Sequence, residues 1–296
     1  MSSKSEPKIR RSCLYMPGAN ARALEKARTL AADMIILDLE DSVAPDAKQD
    51  ARGLVEAALQ ENAYGYREVV VRSNALDTPW GRADIDMAVR SQADGVLVPK
   101  ITTADDIIEL NEILNDAKAP ATFLLWVMIE MPLAILNIQR IAASASTTRL
   151  AGFMLGPNDL VKELRALPSP DRANMQPSLG LTLLAARAFD LVALDGVYNE
   201  IGNEAGLEAE CAHGRGLGFD GKTLIHPSQI EAANRVFAPS EEAITNAHEI
   251  IAAFTLPENK GKGVIKLNGT MVELLHLEQA KQLIQLQHAI DQRQAS

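Results

Sequence analysis

Thr122-Phe-Leu-Leu-Trp-Val-Met-Ile-Glu-Met-Pro132 and Leu150-Ala-Gly-Phe-Met-Leu-Gly-Pro-Asn-Asp-Leu160 are two apolar runs, each ending abruptly in a carboxylate close to a proline. Their hydrophobic residues are continuous rather than alternating, the pattern of parallel strands covered on both faces. A helix-like segment lies between them. An acid at the carboxyl end of such a strand stands where α/β proteins place their chemistry. Glu130 and Asp159 are one strand–helix–strand unit apart, hence neighbours in space. Two hard oxygen ligands that leave positions open suit Mg²⁺, which keeps waters for a substrate to displace. The competing reading is that both acids cap the helices that follow them.

Outward from this pair, strand-like and helix-like segments alternate along most of the chain. Strands are expected at Ser12–Met16, Met34–Leu39, Glu68–Val71, Gly95–Val98 and Gly221–Ile225, with amphipathic helices between them. The count is about eight βα units, which predicts a (β/α)8 TIM barrel over residues 1–238. A polar stretch, Arg165–Pro177, is expected to loop over the site. The alternation then stops. Residues 239–296 read as a helical extension: a helix at Ser240–Phe254, a Gly- and Lys-rich hinge at Pro257–Gly263, and a helix at Met271–Ile290. Such a tail is either a lid or an oligomer arm.

Bulk properties narrow the function. An apolar content of 47% over 296 residues is ample for a core, and a net charge of −10 argues against nucleic-acid binding. Cys13 and Cys211 form neither a metal motif nor a disulfide framework, which fits a reducing compartment. The N-terminus lacks the apolar core of a signal peptide, and the longest apolar run is too short to span a bilayer. The expectation is a cytoplasmic protein without a membrane partner.

The carboxyl ends of the expected strands gather Asp38, Glu40, Asp41, Arg72, Lys100, Glu130, Asp159, Asp195 and His226 on one rim. Arg72 directly ends a strand, where a guanidinium can clamp a carboxylate or stabilise an enolate oxygen. Its alternative is a counter-ion to Asp38 or Asp41. Lys100 equally suits neutralising the rim acids, and His226 before Pro227 suits a helix cap. Met128, Met131 and Met154 read as core filling.

The chain resembles the β subunit of citrate lyase and its relatives, the citramalyl-, malyl- and β-methylmalyl-CoA lyases, of the HpcH/HpaI aldolase/citrate lyase superfamily. The matching stretches are Arg11-Ser-Cys-Leu-Tyr-Met-Pro-Gly18, Leu37-Asp-Leu-Glu-Asp-Ser-Val43, Val71-Arg-Ser-Asn-Ala-Leu76 and Val98-Pro-Lys100. They continue through Ile129-Glu-Met-Pro132, Gly156-Pro-Asn-Asp-Leu160, Asp195-Gly-Val-Tyr198 and Gly218–Ile230, in order over nearly the whole length. The resemblance implies a trimer or hexamer with Mg²⁺ held by Glu130 and Asp159. It implies that Arg72 contacts substrate, with Asp38 and Asp41 nearby, and that Tyr15 and Lys26 contact a coenzyme A thioester. Three departures stand out. Gly156-Pro157-Asn158-Asp159 replaces Gly-Ala-Glu/Ala-Asp, so Pro157 enters the substrate pocket. Asn20 replaces an arginine. The lid motif, whose aspartate is the family's acid/base, reads Gly269-Thr-Met-Val-Glu273.

The expected function is a Mg²⁺-dependent carbon–carbon lyase acting on a β-hydroxyacyl thioester, on free CoA or an acyl carrier. It would yield an acetyl thioester and a 2-oxo acid, with Arg72 stabilising charge and Glu273 exchanging the proton. The alternatives are an altered or non-catalytic paralogue that keeps the metal site, and a pyruvate-type aldolase on free oxo acids.

Overall fold

In the computed structural model, which describes residues 8–294, the apolar runs pair side by side as eight parallel strands. These are β1 (Ser12–Pro17), β2 (Met34–Asp38), β3 (Glu68–Arg72), β4 (Gly95–Val98), β5 (Leu124–Ile129), β6 (Leu150–Leu155), β7 (Val192–Asp195) and β8 (Gly221–Leu224). β8 pairs back onto β1 through Ser12↔Lys222, which closes the barrel and removes both sheet edges. The (β/α)8 expectation is met.

Strand parity sorts the side chains. Cys13, Met34, Ile36, Val70, Leu97, Trp126, Met128, Met154 and Leu194 fill the barrel interior as one buried cluster. Their neighbours of opposite parity, such as Ile35, Val71, Val127, Phe153 and Ala193, face the surrounding helices in a second cluster. Met128 and Met154 are thus core, and Met131 packs half-buried against the outer layer.

The helical layer consists of α1 (Ala21–Ala27), α2 (Lys48–Gln60), α3 (Gly81–Arg90), α4 (Ala104–Asp116), α5 (Pro132–Leu136) and α6 (Ile138–Ala143). It continues with α7 (Pro157–Glu163), α8 (Gln176–Ala188), α9 (Glu204–Leu217) and α10 (Ile230–Phe237). Their starts follow sequence signals. Asn20 and Asn203 cap α1 and α9, Thr103 and Asp106 form a capping box on α4, and Pro132 and Pro157 occupy first-turn positions.

Arg10–Phe237 form one compact unit; Ala238–Gln294, with Lys8 and Ile9, belong to another. The second unit contains α11 (Glu241–Thr255), β9 (Val264–Leu267), β10 (Thr270–Glu273) and α12 (Leu274–Gln294). Ala247, Ile250, Ala253, Ile265, Val272 and Ala280 are its core. Here the sequence expectation is corrected. Met271 does not begin a helix; it lies in an antiparallel hairpin pairing β10 with β9. Asn268 and Gly269 at the tip have φ of 48° and 84°, the double positive φ that a tight type I′ turn requires. No helix among the described residues is long and apolar enough to cross a membrane.

Candidate active site at the barrel mouth

Two residues beyond the last apolar layer, the same inward parity delivers Tyr15 after Cys13, Asp38 after Ile36, Arg72 after Val70, and Glu130 after Met128. The fifth such position, after Met154, is Gly156, where a Cβ would lie 2.6 Å from the Glu130 carboxylate. The glycine leaves that carboxylate its space. These residues line a cavity of about 420 Å³ together with Pro17, Asp41, Ser42, Met128, Pro157, Asn158 and Asp159.

Arg72 grips Asp38 with two parallel hydrogen bonds, Nε to Oδ1 at 2.7 Å and Nη2 to Oδ2 at 2.8 Å. Burial alone would raise the Asp38 pKa, but the guanidinium and its hydrogen bonds outweigh it and hold the carboxyl below its ordinary value. The Tyr15 ring lies over the same guanidinium, 4.7 Å from Cζ to centroid. The Tyr15 hydroxyl is buried without a hydrogen-bond partner, and burial pushes it above the ordinary tyrosine range. Arg72 Nη1 also meets Asp41 at 3.3 Å. The counter-ion role anticipated for Arg72 is therefore present, on a side chain that also lines the cavity.

Glu40 is the residue to which the sequence reading assigned no role. Its Oε2 lies 2.9 Å from Arg72 Nη1 yet is not aligned for a hydrogen bond. Burial is the largest influence on its acidity; Arg72 opposes it, Asp41 and Glu130 add to it, and the pKa rises to about 8. A signal existed, since Glu40 repeats the inward parity of Asp38.

Glu130 and Asp159 converge on one cation. Lys100 Nζ is 3.1 Å from Glu130 Oε1 and 2.6 Å from Asp159 Oδ2, while the Lys100 backbone N–H donates to Glu130 Oε1 at 2.9 Å. Lys100 has a φ of 60°, unusual for a non-glycine residue. The turn directs both its amide and its ammonium at the acids. Burial lowers the lysine pKa, but hydrogen bonds and charges from Asp159 and Glu130 carry it to about 12. Glu130 is shifted upward by burial, against the pull of Lys100. An ammonium held by two carboxylates is a stand-in for a metal ion. No group of three or more His, Cys, Asp or Glu side chains with metal-site geometry occurs among the described residues. The pair suits an ion bound through one or two carboxylates and waters, so the donor set fits Mg²⁺ rather than a closed cage. Asp159 departs from the expected strand end: it lies in the first turn of α7.

Several anticipated residues are elsewhere. Asp195 follows the inward-facing Leu194 by one place, so it points outward, where Arg172 Nη1 binds it at 2.7 and 2.9 Å. Lys222 and Glu210 extend this buried network, and Gly214 gives it room, since a Cβ there would lie 2.5 Å from Asp195 Oδ2. Arg172 belongs to the stretch expected to be a loop over the site, so that stretch is pinned to the barrel's flank. His226 accepts from Ser228 N–H and forms a capping box with Gln229, the cap role foreseen as its alternative. Lys26 is exposed in the last turn of α1 and is not part of the cavity lining. Glu273 ends β10 in the second unit, where its N–H donates to His276 Nδ1 at 2.9 Å.

The profile of the HpcH/HpaI aldolase/citrate lyase family matches residues 11–227, and that of a TIM-barrel carbon–carbon bond lyase group matches 181–289. The chain is 49% identical over 95% of both chains to a (3S)-malyl-CoA thioesterase of Cereibacter sphaeroides. It is 40% identical to the citrate lyase β subunit of Escherichia coli, over 90% of this chain and 89% of that one. Among solved structures, CitE of Mycobacterium tuberculosis in complex with magnesium, acetoacetate and coenzyme A superposes with a TM-score of 0.75. That match has 29% identity and covers 94% of this chain and 97% of CitE.

Proposed function

Since the chain belongs to the HpcH/HpaI aldolase/citrate lyase family, we propose that it is a Mg²⁺-dependent enzyme hydrolysing a malyl-type CoA thioester. The observation that carries this reading is near-half identity, over almost the whole of both chains, with (3S)-malyl-CoA thioesterases. Glu130 and Asp159 would hold the ion, which supplies positive charge to the substrate's carboxylate and hydroxyl oxygens. The mouth supports such a pose. Arg72, Tyr15 and Pro157 line the cavity, with the guanidinium available to the substrate's carboxylate, while Lys26, exposed and outside that lining, would meet only the distal part of the thioester arm. Asp41 lines the cavity with its carboxylate facing solvent, which suits it to take the proton of an attacking water. The cysteines offer no alternative nucleophile, since both are buried and burial raises their pKa. Water therefore adds to the thioester carbonyl, and the products are malate and the free CoA thiol.

A second reading is the carbon–carbon lyase expected from sequence. It is supported by the 36–40% identity to citrate lyase β subunits. Here a carboxylate at the mouth takes the substrate hydroxyl proton and the Cα–Cβ bond breaks. Glu273 from a neighbouring subunit of a trimer or hexamer then protonates the acetyl thioester enolate.

Product analysis separates the two. With (3S)-malyl-CoA and Mg²⁺, hydrolysis gives thiol and malate in equal amounts and no acetyl-CoA; the lyase gives acetyl-CoA and glyoxylate and no thiol. Glu130→Gln and Asp159→Asn should each lower either reaction at least ~100-fold with the fold retained. Absence of both product pairs, or unchanged rates in these variants, overturns the proposal.

A further inference from the structure

The Asp38–Ser42 turn, which carries the partners of Arg72, is held from behind by a buried lysine. Lys48, the first residue of α2, is only 6% exposed. Its Nζ donates to the backbone carbonyls of Leu39 at 2.8 Å and Glu40 at 2.6 Å. It faces the Trp80 ring, 5.6 Å from the centroid. Asn74 Nδ2 donates to the same Leu39 carbonyl at 3.0 Å and is itself fixed by Asp84, which Arg52 binds in turn.

The Leu39–Glu40 peptide is therefore gripped at both ends. Its carbonyl accepts from Lys48 and Asn74, and its N–H, that of Glu40, donates to Asp38 Oδ1 at 2.9 Å. Asp38 Oδ1 is also the atom that receives Arg72 Nε. Lys48, one peptide unit, Asp38 and Arg72 thus form a continuous hydrogen-bonded chain from the helical layer to the cavity wall. Each bond polarises the next, and a buried ammonium at the carbonyl end strengthens the amide that Asp38 accepts from. Burying a lysine is costly, and desolvation lowers the pKa of this one. The site uses its charge on backbone carbonyls rather than in a carboxylate pair. A purely structural position is more simply filled by an apolar side chain.

We propose that Lys48, backed by Asn74, is a positioning residue for the reaction at the mouth, fixing the turn that orients Asp38 and hence Arg72. It touches neither the cavity nor the reacting atoms. The proposal rests on the functional reading above, and its test has one arm independent of turnover. Lys48→Met keeps the aliphatic stem and removes the donors. Expected is a fall in kcat of at least ~30-fold with KM for the thioester within ~3-fold of wild type, because binding groups remain while the oriented guanidinium does not. In parallel, hydrogen exchange of the amides of residues 39–43 should accelerate at least ~10-fold, with the barrel strands unchanged. Should Lys48→Met not fold, Lys48→Gln, which retains one donor group, carries the same comparison. Asn74→Leu should move both readouts in the same direction by less. Unchanged exchange in residues 39–43, or an unaltered kcat, overturns the proposal. If the wild-type protein turns over none of the thioesters, the functional reading fails, and exchange alone decides whether Lys48 fixes the turn.

Discussion

Lys100 carries its ammonium 2.6 Å from the Asp159 carboxylate and, through the same atom, 3.1 Å from Glu130. A divalent ion entering between these acids has to displace it. Lys100→Met should therefore bind Mg²⁺ about tenfold more tightly than wild type, since a like charge a few ångströms away is removed. In metal-free buffer the same variant should melt lower, with two acids left facing each other. Calorimetric titration with Mg²⁺ and melting curves in a chelator test both; unchanged or weaker binding would show that the acids do not form the ion site.

The fork between Arg72 and Asp38 bears on a second expectation. A lysine can satisfy one oxygen of Asp38 but not both, and Asp38 is only 2% exposed. Arg72→Lys should lose turnover within a few-fold of Arg72→Ala, at least ~100-fold in each case. Breaking such a buried pair costs about 3–5 kcal/mol, so both variants should also melt lower. Near-normal turnover in the lysine variant would reduce Arg72 to a counter-ion.

Glu40 ties stability to pH. Its pKa rises from the ordinary 4.5 to about 8 on folding, so the folded state holds a proton that the unfolded state has released. The stability it contributes is complete below pH 4.5 and is lost as pH climbs through 8. Glu40→Gln, neutral throughout, should gain on wild type as pH is raised from 5 to 9. Parallel melting temperatures across that range would contradict the shift.

For Glu273, position on a hairpin sharpens the test. The side chain ends β10, so its reach depends on the Asn268–Gly269 turn as well as on its own length. Glu273→Gln should lower turnover at least ~100-fold with little change in thioester affinity if the lyase reading holds. Glu273→Asp should stay active, because acid/base chemistry survives a shift of about one C–C bond. A glutamine variant with wild-type turnover would remove Glu273 from the reaction.

Much of this was legible in the chain. Asp38, Arg72 and Glu130 each stand two places beyond an apolar residue that faces the barrel axis, and abrupt polarity at a strand end is visible without a structure. Asp195 was misplaced because β7 is four residues long and apolar on both parities, so nothing in Val192-Ala-Leu-Asp195 tells inward from outward. The β9–β10 hairpin carried a plain signal in Asn268-Gly269, masked by the long helical pattern that follows. Lys48 was not legible at all. A lysine at a helix start reads as solvent-facing, and only the fold brings two carbonyls over it.

One property of Lys100 reaches beyond catalysis. Because Lys100 pairs with both Glu130 and Asp159, the two acids have a counter-charge within the chain itself. Structural zinc domains, whose chains collapse only around their ion, stand at the other extreme. Refolding in the presence of a chelator should therefore reach the same yield as refolding with Mg²⁺.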